Sequence, residues 1–133
     1  MKPTTPKIVL VDADVEVGGM LNLALSASGH AVQWYQSGLE ALDALLAMPS
    51  GAAPKVLLLA VDLVGLDGHT IHEQLKLARP GAFLVVFLAS RGGDSDQIRA
   101  FTAGALDYMV KPLSIPVLLA KVNVWLHLCG TPA

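Results

Sequence analysis

Five times along the chain a short apolar run gives way to an amphipathic stretch, and this alternation narrows the possible folds more than any other feature of the sequence. The runs at 8–11 and 56–61 are unbroken in apolar character, as expected of strands buried on both faces of a parallel sheet. The amphipathic stretches between them fit crossover helices lying on those faces. The expected class is therefore α/β. Residues 8–11 form the first run and stop at Asp12. A helix is expected over residues 15–28, closed by Gly29, although Gly18 and Gly19 each weaken it by about 1 kcal/mol relative to Ala. Residues 31–36 alternate and carry Val32, Trp34 and Tyr35, which places this strand near a sheet edge where its polar residues reach water.

Ser37-Gly38-Leu39-Glu40 has the spacing of a capping box, in which Ser37 bonds the Glu40 amide and Glu40 reaches back. The helix it opens runs to about Met48. Strands follow at 56–61, 83–88 and 108–110, and helices at 69–79 and 94–103, stopped by Pro80-Gly81 and Gly104. A last helix is expected over 114–128, with Ser114 as N-cap and Pro116 tolerated in the first turn.

A chain of 133 residues has room for one compact core, so the expectation is a single domain over 1–133, with about 7–128 as its ordered part and short tails. Hydrophobic residues are 53% and charged residues 15%, enough to fill a core and leave apolar side chains on the surface. The formal charge of −2, without a Lys/Arg cluster, gives no basis for gripping a nucleic-acid backbone or an anionic membrane. Cys129 is the only cysteine, and the first apolar run is too short for a signal peptide or a span; a cytoplasmic location is expected.

In an open parallel sheet the working groups stand at the C-terminal ends of strands. Asp12-Ala13-Asp14, Ala60-Val61-Asp62, Ala89-Ser90-Arg91-Gly92-Gly93 and Lys111-Pro112 occupy those ends here. With these residues in view, the chain resembles the receiver domains of bacterial two-component response regulators over nearly its whole length. The most specific stretch is Arg99 through Pro112, with its Ala103-Gly104-Ala105, acidic Asp107, aromatic Tyr108, apolar Met109-Val110 and final Lys111-Pro112; Leu66-Asp67-Gly68 adds to it. The resemblance implies a flavodoxin-like (βα)5 doubly wound fold, a five-stranded parallel sheet in strand order 2-1-3-4-5, and a role in phosphorelay signalling.

It also implies a particular chemistry. Two acidic residues after strand one and a backbone carbonyl after strand three would hold Mg²⁺, an aspartate ending strand three would become the acyl-phosphate, and a hydroxyl after strand four with a lysine after strand five would bond the phosphoryl oxygens. Carried over by position, the inventory is poor. Asp12 matches the first acidic position, but Ala13 fills the second; Asp14 lies one residue further and points elsewhere. Counting forward from Pro54 and back from Asp67-Gly68 puts Ala60 at the acceptor position. Ala89 stands where the family has its hydroxyl, with Ser90 adjacent, while Lys111 and the switch aromatic Tyr108 are present. No cofactor is expected, and Asp12 with Asp14 is only a weak metal candidate.

Asp62 lies two residues past Ala60 with the same facing. It is either a displaced acceptor or a loop carboxylate that bonds local N–H groups or pairs with Lys111; two extended residues displace it by roughly 6–7 Å, which favours the second. In the family the strand-four hydroxyl moves to the phosphoryl group and the strand-five aromatic turns inward behind it. Without a hydroxyl at Ala89, Tyr108 is expected either to keep one orientation or to answer to a partner.

His69 and His72 share a helix face near Glu73, but without further ligands they read as surface histidines; Gly92-Gly93 reads as a loop, not a phosphate cradle. In the last helix Leu118, Leu119, Val122, Trp125 and Leu126 form a core stripe. Val117, Val124 and Leu128 form a second, interrupted by Lys121, which either docks a partner or is apolar composition reaching the surface. The expected function is a phosphorylation-independent receiver and no enzyme. It would act as an interaction or dimerisation module through the helix-four, strand-five, helix-five face, and could be part of a longer regulator. The alternatives are a working receiver phosphorylated at Asp62 and a flavodoxin-like small-molecule binder.

Overall fold

The computed structural model describes residues 6–49, 51 and 53–130. The apolar runs become strands β1 (Ile8–Val11), β2 (Val32–Tyr35), β3 (Lys55–Ala60), β4 (Phe83–Ala89) and β5 (Asp107–Val110). Between and after them lie helices α1 (Val15–Ala27), α2 (Gly38–Ala47), α3 (Gly68–Ala78), α4 (Asp94–Thr102) and α5 (Ile115–Leu128). Every strand pair is parallel and the order is β2-β1-β3-β4-β5, the doubly wound flavodoxin-like arrangement. Residues 1–5 and 131–133, most of the expected tails, lie outside the described residues.

Strand side chains alternate between two apolar layers because successive Cβ atoms point to opposite faces. Val9, Val11, Leu57, Leu59, Val85 and Phe87 pack against Leu42 and Leu45 of α2, Ile71 and Leu75 of α3 and Ala100 of α4. Ile8, Leu10, Val56, Leu58, Val86 and Leu88 pack against Leu21 and Leu25 of α1 and against Leu118, Val122, Trp125 and Leu126 of α5. Three helices therefore cover one face and two the other. β2 is an edge strand with Gln33 exposed, as its alternation requires.

Local signals act largely as expected. Ser37 Oγ accepts from the Glu40 amide at 3.3 Å and Ser114 Oγ from the Val117 amide at 3.4 Å. The reciprocal bond from Glu40 is absent among the described residues, so the capping box is only half formed. β3 begins one residue earlier than expected because the Lys55 amide donates to the Ala82 carbonyl. α3 likewise begins at Gly68, with Asp67 as its cap. Gly18 has a structural reason: a Cβ built there would lie 2.4 Å from the Trp34 ring, so only glycine lets the indole lie against α1. Among the described residues no helix is long and apolar enough to cross a membrane.

Candidate functional site

At the C-terminal rim of the sheet, Asp12 is buried and its Oδ2 meets the Lys111 ammonium at 2.8 Å. That contact is off the angle of a regular hydrogen bond, and Oδ2 has no other polar partner. Oδ1 is engaged by the Asp14 amide at 3.0 Å. The Asp12 carbonyl is held too, because Trp34 donates its Nε1 hydrogen to it at 3.1 Å. Asp14 turns away: its Oδ1 accepts from the Glu16 and Val17 amides at 3.0 and 3.2 Å as the N-cap of α1. Ala13 is exposed and its side chain offers no ligand atom.

Register brings β3 alongside. Val11 pairs with Leu59, so the next residues, Asp12 and Ala60, come abreast at the rim. Ala60 is buried, and a Cβ at Gly68 would lie 2.3 Å from its carbonyl oxygen, so glycine there is what lets α3 start against the end of β3. Ala89 ends β4 inside the apolar layer shared with Phe87 and Tyr108, and its carbonyl accepts from the Lys111 amide at 2.7 Å. Ser90 points to solvent and donates its hydroxyl to Asp62 Oδ2 at 2.8 Å. Neither partner expected for Asp62 is found: it accepts from the Ser90 hydroxyl rather than from a local N–H group, and Lys111 is given to Asp12.

Tyr108 lies inward, with its ring centroid 6.4 Å from that of Phe87 and its hydroxyl donating to the Arg91 carbonyl at 2.6 Å. Burial, with the carboxylates of Asp96 and Asp62 nearby, pushes its phenol above the usual range. The surface reading of the two histidines needs correction for His72, which is buried with its ring edge-on to Phe87 at 5.4 Å; the half-buried His69 stacks on the same ring at 4.7 Å. Their spacing of three puts both over β4, and burial holds both imidazoles below the ordinary histidine range. Asp67 caps α3 by accepting from the Thr70 amide, which holds its carboxyl below the usual value.

Beside these residues runs an open groove of about 630 Å³ lined by Asp62, Asp67, Asp96, Arg91 and Arg99, among others. Its charged lining differs from the mostly apolar, enclosed pockets typical of small-molecule sites. The family model for the response regulator receiver domain matches residues 8–123. This chain belongs to that family.

Among relatives of the receiver, the response regulator MprA of Mycobacterium avium is 33% identical over 121 residues, covering 91% of this chain and 51% of that protein. The chain thus spans about half the length of the curated relatives it matches. The response regulator DrrB of Thermotoga maritima, an OmpR/PhoB homologue, is 27% identical with a TM-score of 0.77, covering 93% of this chain and 54% of that one. A CheY-like receiver domain from Methanospirillum hungatei shares the fold at 20% identity and a TM-score of 0.82, covering 96% and 98%.

In this receiver the rim gathers Asp12, Ala60, Ala89 and Lys111 as the strand ends implied, and leaves Ala13 and Asp14 outside. Sequence reasoning missed two contributors. Trp34, read only as a strand residue, holds the Asp12 carbonyl, and the signal was its pairing with a glycine inside α1. Arg91 contributes through its carbonyl, which no side-chain pattern reports. The second α5 stripe is exposed at Val117, Val124 and Leu128, and Lys121 leaves it largely uninterrupted because its ammonium turns to Asp107 at 2.8 Å.

Proposed function

We propose that this receiver signals without phosphorylation, as a protein-interaction module and not as an enzyme. The observation that carries the reading is Ala60 at the end of β3: a methyl group cannot attack phosphorus, and the rim carboxylates beside it are engaged, Asp12 with Lys111 and Asp62 with Ser90. The donor set does not suit Mg²⁺ either. Ala13 and Ala60 have no ligand oxygen in their side chains, and Asp14 is committed to its helix cap. Among the described residues no three His, Cys, Asp or Glu side chains cluster closely enough to hold a metal ion.

The surface proposed to carry the output is the α4–β5–α5 face. Ile98, Phe101, Val110, Val117, Val124 and Leu128 are all exposed there, a concentration of apolar side chains of the kind that marks interaction sites. A second copy of the chain or an output domain is the partner chemistry this face fits, and a cytoplasmic setting with no nucleic-acid or membrane contact of its own belongs to the same reading. Incubation with acetyl phosphate and Mg²⁺, followed by intact-mass measurement, tests it. The expected result is an unchanged mass. A stoichiometric phosphoryl adduct that disappears in Asp62→Ala would overturn the proposal and establish Asp62 as a displaced acceptor.

A further inference from the structure

We infer that Asp62 is an internal latch that holds Tyr108 inward, doing by a carboxylate–hydroxyl bond within the chain what a phosphoryl group would otherwise have to do; the inference rests on the phosphorylation-independent reading above. The contacts run in one direction across the rim. Asp62, in the loop after β3, accepts from the Ser90 hydroxyl at 2.8 Å. The next residue, Arg91, presents its carbonyl to the Tyr108 hydroxyl at 2.6 Å. Gly92 follows, pressed so close to β5 that a Cβ there would lie 2.6 Å from Val110 Cγ2, and its carbonyl accepts from Gln97 Nε2 of α4 at 2.8 Å. Three consecutive residues of the β4–α4 loop are therefore tied to the β3 loop, to β5 and to α4.

The consequence for Tyr108 follows from its burial. Arg91 is the hydroxyl's hydrogen-bond partner, and a buried phenol deprived of its acceptor is better served by water. If Ser90 is released, the Arg91 carbonyl is no longer held in place, and the ring gains by rotating out between α4 and β5, beside Ile98 and Val110. That rotation would rewrite the apolar face proposed to carry the output. The position of Asp62 thus sets the shape of a surface on the other side of the β4–α4 loop through bonds internal to the chain.

The chain has only two tyrosines, Tyr35 and Tyr108, so ring-labelled tyrosine NMR resolves the one that matters, with Tyr35→Phe giving the assignment. Asp62 and Ser90 are exposed, so truncating either leaves the core intact. In Asp62→Ala and in Ser90→Ala the Tyr108 ring signals are expected to move towards those of a solvent-exposed tyrosine, as the ring leaves Phe87. Asp62→Asn, which keeps an oxygen acceptor for the hydroxyl, should leave them near the parent position. Unmoved Tyr108 signals in both alanine variants would overturn the latch, as would movement in Ser90→Ala alone. Intact mass after acetyl phosphate treatment, read on the same samples, scores the underlying reading separately.

Discussion

The Lys111 ammonium stands 2.8 Å from Asp12 Oδ2, and the two side chains are unequally covered: Asp12 keeps 2% of its surface and Lys111 20%. Removing the lysine therefore leaves a carboxylate inside the fold without its counter-charge, whereas removing the carboxylate leaves an ammonium that can turn to water. Lys111→Met should destabilise the domain by roughly 3 kcal/mol, the low end for broken buried pairs because the lysine is partly wet. Asp12→Asn should cost clearly less. Urea unfolding midpoints of the two variants, with an unchanged slope, check the order.

Gly18 and Gly19 are adjacent in α1 and should respond oppositely to the same substitution. Helix propensity alone favours alanine at either by about 1 kcal/mol. At Gly19 the nearest atom to a new Cβ is 3.8 Å away, so Gly19→Ala should stabilise by about 0.5–1 kcal/mol. At Gly18 the new methyl collides with the Trp34 ring, which is itself hydrogen-bonded to the Asp12 carbonyl. Gly18→Ala should destabilise by roughly 1–3 kcal/mol, the range for overpacking. Thermal unfolding of the pair, together with Trp34 fluorescence, separates the two effects.

His72 makes the domain acid-sensitive. Burial against Phe87, followed by the charges of Lys76 and His69, lowers its folded pKa below that of the unfolded chain, near 6.5. The unfolded state then binds more protons in the window below that value, so stability rises with pH there. The contribution is complete above about pH 6.5 and declines as the pH falls towards the folded pKa. His69, shifted the same way by its own partial burial, adds to the slope. In His72→Leu the melting temperature should depend less steeply on pH between about 6.5 and 5; an unchanged slope would refute the assignment.

Placing an aspartate at position 60 should not produce phosphorylation there. The site is buried at the end of β3, the Lys111 ammonium is already paired with Asp12, and Ala13 and Ala89 still lack a metal ligand and a hydroxyl. Ala60→Asp should lower stability by about 1–3 kcal/mol, the cost of a buried polar group without a ready partner. Its mass should remain unchanged after treatment with acetyl phosphate and Mg²⁺.

The exposed α5 stripe gives the last prediction. Val124 is 60% exposed and central between Val117 and Leu128. Val124→Glu should abolish any self-association seen by light scattering at high concentration while leaving the melting temperature within a few degrees of the parent, since surface substitutions rarely exceed about 0.5 kcal/mol.

Much of this architecture was legible in the residues themselves. Unbroken runs such as Val56–Leu59 can be satisfied only between two helical layers, and the period of the intervening stretches set their helices; Ser37 and Ser114 marked where two of those helices begin. The family, too, was readable, because Ala103 through Pro112 combines a turn, an acid, an aromatic and a lysine at fixed spacing. The alanines at positions 13, 60 and 89, on which the proposed function rests, were likewise visible as residue types.

Which surviving groups answer one another was decided only by tertiary structure. Asp12, Asp14 and Asp62 carry the same chemistry and all follow strand ends, yet one is buried beside Lys111, one caps a helix and one accepts from Ser90. His69 and His72 both lie against the ring of Phe87 from β4, yet one is half-buried and the other buried. Such pairings depend on strand register and on the few ångströms by which Gly18, Gly68 and Gly92 let neighbouring groups approach. Composition and periodicity are properties of one segment at a time. A hydrogen bond from Trp34 to the Asp12 carbonyl, or from Tyr108 to that of Arg91, exists only once separate segments have been packed together.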